Sequence, residues 1–306
     1  MIIGVLVALV LLGVVVAAVR RQPSSAGPGP APGVLPPAGW YPDPWHQAPS
    51  RWWDGHTWTG SVSASMPPAP PRPPRPRAAP LPGPALSWAV TTVVVAAAVV
   101  VAFTWFYRHV ARPPVVPGLL LFYACLYGTL FGSCTLFSMR HGSGSLAADY
   151  GLDLRLRDSY RGLGVYLLAN IASAIAVAPF LHTSRFQGTN TQSLTDYRDE
   201  VAVYLTLALI AVVAAPFFEE LFFRGMLFRA LLGRVPWGWA VVAQALVFGS
   251  AHYNPYIGSH NVSVIVAITA MGVVLGWSAM YFRRLGPGMV AHFLKNLTAV
   301  LAILAT

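Results

Sequence analysis

The sequence predicts an all-α polytopic membrane protein of about eight transmembrane helices, with a small Trp-rich, β-like module between the first and the second. Three observations carry this expectation. Of 306 residues, 56% are hydrophobic and only 10% charged. Soluble globular proteins carry roughly a quarter charged residues, so this chain cannot cover a water-soluble domain of its size and lipid is its natural solvent. Apolar runs of about span length recur from Ala85 onward, and a compact aromatic island sits between Pro-rich stretches before them.

The first run, Ile2 to Val19, is about long enough to span a bilayer. Arg20 and Arg21 follow it and no basic residue precedes it, the reverse of a signal peptide's charged n-region. Charge bias favours an anchor over 1–21 with its C-terminal end inside, a cleaved signal being the alternative. Residues 22–38, rich in Pro, Gly, Ala and Ser, read as a flexible tether.

The island at 39–60 contains Gly39-Trp40-Tyr41-Pro42-Asp43-Pro44, then Arg51-Trp52-Trp53-Asp54-Gly55, then Trp58-Thr59. Asp54-Gly55 reads as a tight turn between two short strands. The aromatics suit a mini-core, or a small groove for a Pro-rich peptide. Residues 61–86, with many prolines and Arg72, Arg75 and Arg77, read as a semi-rigid linker suited to an anionic membrane face.

The core, 87–306, shows spans near 87–107, 117–137, 163–181, 200–218, 236–252, 262–281 and 287–305. The net charge of +10 is almost all arginine, with Lys295 the single lysine. These arginines lie mostly in short polar segments between apolar runs, where they set topology, so no nucleic-acid partner is expected. Arg140, Arg155, Arg157 and Arg161 place the 138–162 loop in the cytoplasm; Arg229, Arg234, Arg283 and Arg284 fall on the same side, whereas Arg108 and Arg112 break the bias. Cys125 and Cys134, nine apart, do not have a metal spacing and read as packing residues.

Ionisable groups inside spans are costly and need an explanation. Glu219 and Glu220 stand in such a run, followed by Arg224. Glu220 and Arg224 are four apart and face each other on a helix. Glu219 is turned about 100° away and is free of that pair. One carboxylate can then be structural while the other does acid–base work; the plainer reading is an ion pair at a helix end. His252 closes the next span, four residues after Phe248, as an interfacial residue or a catalyst. His292 and Asn296 share a face of the last span. Both can donate hydrogen bonds to a developing oxyanion, or serve helix packing.

Taken together, EExxxR, FxxxH and HxxxN on three successive spans resemble the CPBP (CAAX protease, Abi) family of intramembrane glutamic endopeptidases. Gly272 to Trp277 and Arg283 to Gly288 are similar to that family's stretch before its last motif, and the likeness covers roughly 115 to 305. The aromatic island resembles the GWYPDP…RWWDG…WT module, of the DUF2510 type, appended to actinobacterial membrane proteins. The resemblance implies a hydrolase in which Glu219 activates the attacking water and His252 helps position it. His292 and Asn296 would stabilise the oxyanion, and Glu220 and Arg224 would hold the geometry. It implies no cofactor, a multi-pass location in the cell membrane with the Trp-rich module and site access cytoplasmic, and a membrane-associated protein or peptide as substrate. The module points to a bacterial host, so prenylated CAAX proteins are not the expected substrate. The partners expected are that substrate and the lipid bilayer; oligomeric state has no signature here.

Three other chemistries compete. His252, His292 and a Glu could form a three-ligand zinc site, although no HExxH is present. A non-catalytic scaffold, sorting or bacteriocin-immunity factor would use the same core without turnover. A transporter would spread its polar residues along a pathway, whereas here they cluster at three motifs. Ser143 and Ser145 lie in a polar loop and read as linker residues, and no GxGD motif is present.

Overall fold

The computed structural model describes residues 38–65, 80–110, 114–180, 182, 191–254 and 258–305. The expected first anchor, most of the tether and linker residues 66–79 lie outside these. The chain divides into two compact units, one of residues 23–76 and one holding residues 77–306.

In the smaller unit, β1 (Gly39–Pro42), β2 (Ser50–Trp53) and β3 (Trp58–Ser63) form an antiparallel sheet in the order β1-β2-β3. Trp40 pairs with Trp52 and Trp53 with Trp58 across the strands. Such aromatic cross-strand pairs stabilise a sheet too small to bury much else. Trp58 makes T-shaped contacts with Tyr41, Trp45 and Trp53 at 6.2, 6.4 and 5.2 Å between centroids. The connection from β2 to β3 runs over four residues, 54–57, and its Asp54 carboxylate accepts from the backbone N–H of His56 and Thr57 at 2.7 and 2.6 Å.

A buried ion pair organises the other connection. Asp43 accepts from Arg51 Nε at 2.9 Å and from the backbone N–H of Trp45, Gln47 and Ala48 at 3.2, 3.0 and 3.0 Å. The Arg51 guanidinium, helped by those N–H groups, holds the Asp43 carboxyl down to about 2 from an ordinary 3.8. The guanidinium also lies 4.8 Å over Trp45.

In the larger unit the helices are α1 (Ala85–His109), α2 (Val115–His141), α3 (Leu146–Tyr150), α4 (Asp158–Val177), α5 (Gln192–Asp196), α6 (Val201–Leu232), α7 (Trp237–Ala251), α8 (Asn261–Phe282) and α9 (Gly286–Leu304). Among the described residues six are long and apolar enough to cross a membrane: α1, α2, α4 (continued to Phe180), α6, α8 (with its lead-in from Gly258) and α9. The described residues thus give six of the expected eight. One expected span lies outside the described residues. Another, near 236–252, is α7, whose 15 residues reach only about 22 Å against a hydrocarbon core of about 30 Å.

The expected span at 200–218 also changes. It continues past the glutamates as one helical run of 32 residues. Charge at Glu220 does not end the helix because Arg224, one turn on, neutralises it inside the same run. Two stretches of this run, Ile210–Ala214 and Glu220–Leu227, are π-helical. Such wide turns are rare and concentrate at functional sites.

Outward-facing stripes at four-residue spacing are apolar: Leu167, Ile171 and Ile175 on α4, and Val201, Leu205 and Leu209 on α6, all exposed. Water would penalise these stripes and lipid would not. Several arginines gather at one end, whereas Arg108 lies at the opposite end of α1. Arg284 pairs with Asp158, Arg229 donates to the carbonyls of Asp149 and Arg283, and Arg234 donates to that of Gly83.

Helices α7 and α8 approach closely through small residues, as membrane helices do. A Cβ on Gly249 would come 2.0 Å from Thr269 Oγ1 and 2.9 Å from the Ile265 carbonyl; one on Gly272 would meet Ala245 at 3.1 Å.

Two outcomes follow. Gly249→Val drives a side chain into the α8 backbone, and thermal unfolding in detergent should show a loss on the order of the 1–3 kcal/mol typical of overpacking. Asp43→Ala should remove hydrogen-exchange protection from 39–63 while leaving that of the helices intact. Because the folded carboxyl is held low, its contribution is complete above the ordinary carboxylate range. It is lost as pH falls from about 4 towards about 2, which the NMR indole N–H signals of Trp52, Trp53 and Trp58 would report.

Candidate active site

Four of the six expected site residues come together inside the bundle. Glu220 and Arg224, one turn apart on α6, form an ion pair of 2.9 Å with side chains 1% and 0% exposed. Desolvating both charges is expensive and is offset only if their remaining valences are filled. Here they are largely filled. Glu220 Oε1 also lies 3.1 Å from His292 Nδ1 on α9. Arg224 Nη2 reaches the Gly272 carbonyl on α8 at 3.4 Å. The guanidinium sits 4.1 Å over the Phe248 ring on α7, a geometry favourable for a cation.

Glu219 stands apart from that network. Its side chain is 15% exposed and its Oε2 lies 3.9 Å from His292 Nε2. Oε1 receives a long bond of 3.5 Å from the Tyr127 hydroxyl on α2. Oε2 is buried and without a hydrogen-bond partner among the described residues. His292 thus bridges the two carboxylates, Nδ1 on Glu220 and Nε2 towards Glu219. A carboxylate can only accept, so the neutral ring carries its proton on Nδ1; that tautomer is inferred from the partner.

The other two expected residues are held by backbone. His252, at the end of α7, bonds through Nδ1 to the Phe248 carbonyl at 2.8 Å. Its ring meets the Phe248 edge at 4.9 Å, and Phe248 in turn lies 5.9 Å from the His292 ring. Asn296 Nδ2 donates at 2.7 Å to the carbonyl of Ala211, inside the first π-helical stretch. Neither is bonded to Glu219 or Glu220 among the described contacts. Among the described residues no three His, Cys, Asp or Glu side chains are placed to hold a metal ion.

Two contributors were missed by the sequence reading. Tyr127, stacked on Phe218 at 5.0 Å, is one more aromatic in an apolar run until α2 is packed beside Glu219. Gln244 is fully buried on α7, and its Nε2 donates at 2.8 Å to the same Gly272 carbonyl that Arg224 uses. A polar side chain in mid-span was its only available signal.

Removing one partner of a buried pair strands the other. Glu220→Ala should lower unfolding stability by about 3–5 kcal/mol, while Glu219→Gln, which strands no charge, should cost less than about 1 kcal/mol. Thermal melts of the detergent-purified variants would check the difference.

No curated protein and no solved structure matches the chain. The segment matched to a protease family runs from the start of α6 to the middle of α9, and so contains both glutamates, Arg224, both histidines and Asn296. Residues 38–74, which include the three-stranded sheet, match the protein family of unknown function DUF2510. Residues 201–298 of this multi-pass membrane protein match the type II CAAX prenyl endopeptidase Rce1-like family.

Proposed function

We propose that the chain is an intramembrane endopeptidase that cuts membrane-associated peptides or small proteins with water activated by Glu219. The observation that supports this reading is the unequal use of two adjacent carboxylates. Glu220 Oε1 is engaged by Arg224 and His292. Glu219 Oε2 is buried, has no hydrogen-bond partner among the described residues and faces His292 Nε2 at 3.9 Å. That separation is too long for a direct bond and suits a shared water.

In the proposed step the water gives a proton to Glu219 and its oxygen bonds to the scissile carbonyl carbon. The carbonyl π pair moves onto oxygen. Collapse of the tetrahedral intermediate restores the C=O bond and breaks the C–N bond, while Glu219 returns its proton to the departing nitrogen. One water is consumed, the glutamate is regenerated and no metal is required. His292, oriented by Glu220, holds the water at Nε2; carrying a second proton there, it would donate to the oxyanion. Asn296 keeps a second N–H beyond the one given to Ala211, and His252 keeps its Nε2 for the water. Preorganised donors of this kind are worth most in a site closed to water.

The arginine-rich end of the bundle is assigned to the cytoplasm of a cell membrane by the positive-inside rule, and substrate enters from that side. The test is cleavage of a membrane-peptide library by purified protein, wild type beside Glu219→Gln, each with and without a chelator. The expected outcome is a loss of about 10²–10⁴-fold in the variant, the usual worth of a general base, with the wild type indifferent to the chelator. A variant that cuts at the wild-type rate contradicts the assignment. Loss to the chelator with rescue by zinc would replace it with a metal mechanism.

A further inference from the structure

Lys295 is the only lysine in the chain and lies in the middle of α9. Its Nζ donates at 2.6 Å to Asn170 Oδ1 on α4, and among the described residues it forms no ion pair. An ammonium group in mid-span whose hydrogen-bond partner among the described residues is a neutral amide is costly, and such residues mark ligand or ion positions. Asn170 is itself held, its Nδ2 donating to the Tyr166 carbonyl at 2.9 Å, and the Tyr166 hydroxyl reaches Thr298 Oγ1 at 3.3 Å. These four side chains form a polar strip along the α4–α9 seam. An ammonium has three donors, and Asn170 uses one.

The position relative to the site is fixed by the helix. His292 and Lys295 are three residues apart, neighbours on one surface of α9. The chain enters α9 from the Arg283–Arg284 turn, so Lys295 lies about 4.5 Å further along than the imidazole that bridges the glutamates.

We propose that Lys295, steadied by Asn170, is a carboxylate-binding subsite that receives the free C-terminus of the peptide substrate, one helical turn beyond the point of cleavage. The assignment rests on the peptidase reading above. The ammonium is stabilised by a ligand of opposite charge, and a carboxylate entering hydrocarbon is stabilised by the ammonium. Lys295 would then determine specificity through binding and take no part in the proton transfers.

The first readout does not need turnover. In Glu219→Gln protein, a membrane-permeant amine-acylating reagent is followed at Lys295 by peptide mass mapping. A hydrophobic peptide acid should slow the modification at least about tenfold, and the same peptide as its C-terminal amide should not, in keeping with the strength of hydrogen bonds to charged groups. The second readout is kcat/KM. The wild type should prefer the acid over the amide by about tenfold or more. Lys295→Met should reduce that ratio to about one, chiefly through KM. Lys295→Arg should restore part of the preference. Equal protection by acid and amide, or an undiminished acid preference in Lys295→Met, would overturn the proposal. Protection by palmitate and not by the peptide acid would move the subsite from peptide to lipid. If no protein cleaves any peptide the peptidase reading falls, and the labelling result still decides the subsite.

Discussion

Everything around the site depends on one buried ion pair. Glu220 and Arg224 are both out of water, and neither can be left alone there. Their contacts run to three other helices: His292 on α9, the Gly272 carbonyl on α8 and the Phe248 ring on α7. The Gly272 carbonyl is shared with Gln244 of α7, so the pair also fixes how α7 and α8 meet. That meeting is close at Gly272, where a Cβ would lie 3.1 Å from Ala245. The charge network and the close helix approach are therefore one constraint.

The same constraint separates the two glutamates. A single-residue step along a helix turns a side chain by about 100°, enough to put Glu220 inside the network and Glu219 outside it. Two π-helical stretches, one ending at Ala214 and one beginning at Glu220 itself, widen the turns that present them. The Asn296 amide meets the Ala211 carbonyl within one of these stretches and ties α9 to it. His292, fixed at Nδ1, points its other nitrogen at Glu219. In the proposed mechanism a structural carboxylate thus orients the imidazole that serves its reactive neighbour, so that reactivity and stability fall to adjacent residues.

The site was legible where its residues lie one turn apart. Glu220–Arg224 follows from i,i+4 spacing alone, and so does the isolation of Glu219. Contacts made across helices were not legible. Tyr127 reaches Glu219 from 92 positions away, and nothing local distinguishes it from the other aromatics of α2. His252 and Asn296 were assigned by resemblance, and their backbone partners, Phe248 and Ala211, emerge only in three dimensions. The expected span ending at 218 failed for a related reason: a charged pair that neutralises itself lets an apolar helix continue to Leu232. In the Trp-rich sheet the aromatic mini-core was readable, but the Asp43–Arg51 pair that closes its long connection was not, because those residues meet only when the strands pair.

The claim at the centre of this account is that Glu219 activates water and does not itself attack the substrate. Single-turnover cleavage with enzyme in excess, in water enriched in oxygen-18, tests it most directly. Activated water places one solvent oxygen in the new C-terminal carboxyl during the first turnover. A first-turnover product without that label, with solvent oxygen found in the Glu219 carboxyl instead, would show a covalent acyl intermediate and contradict the account.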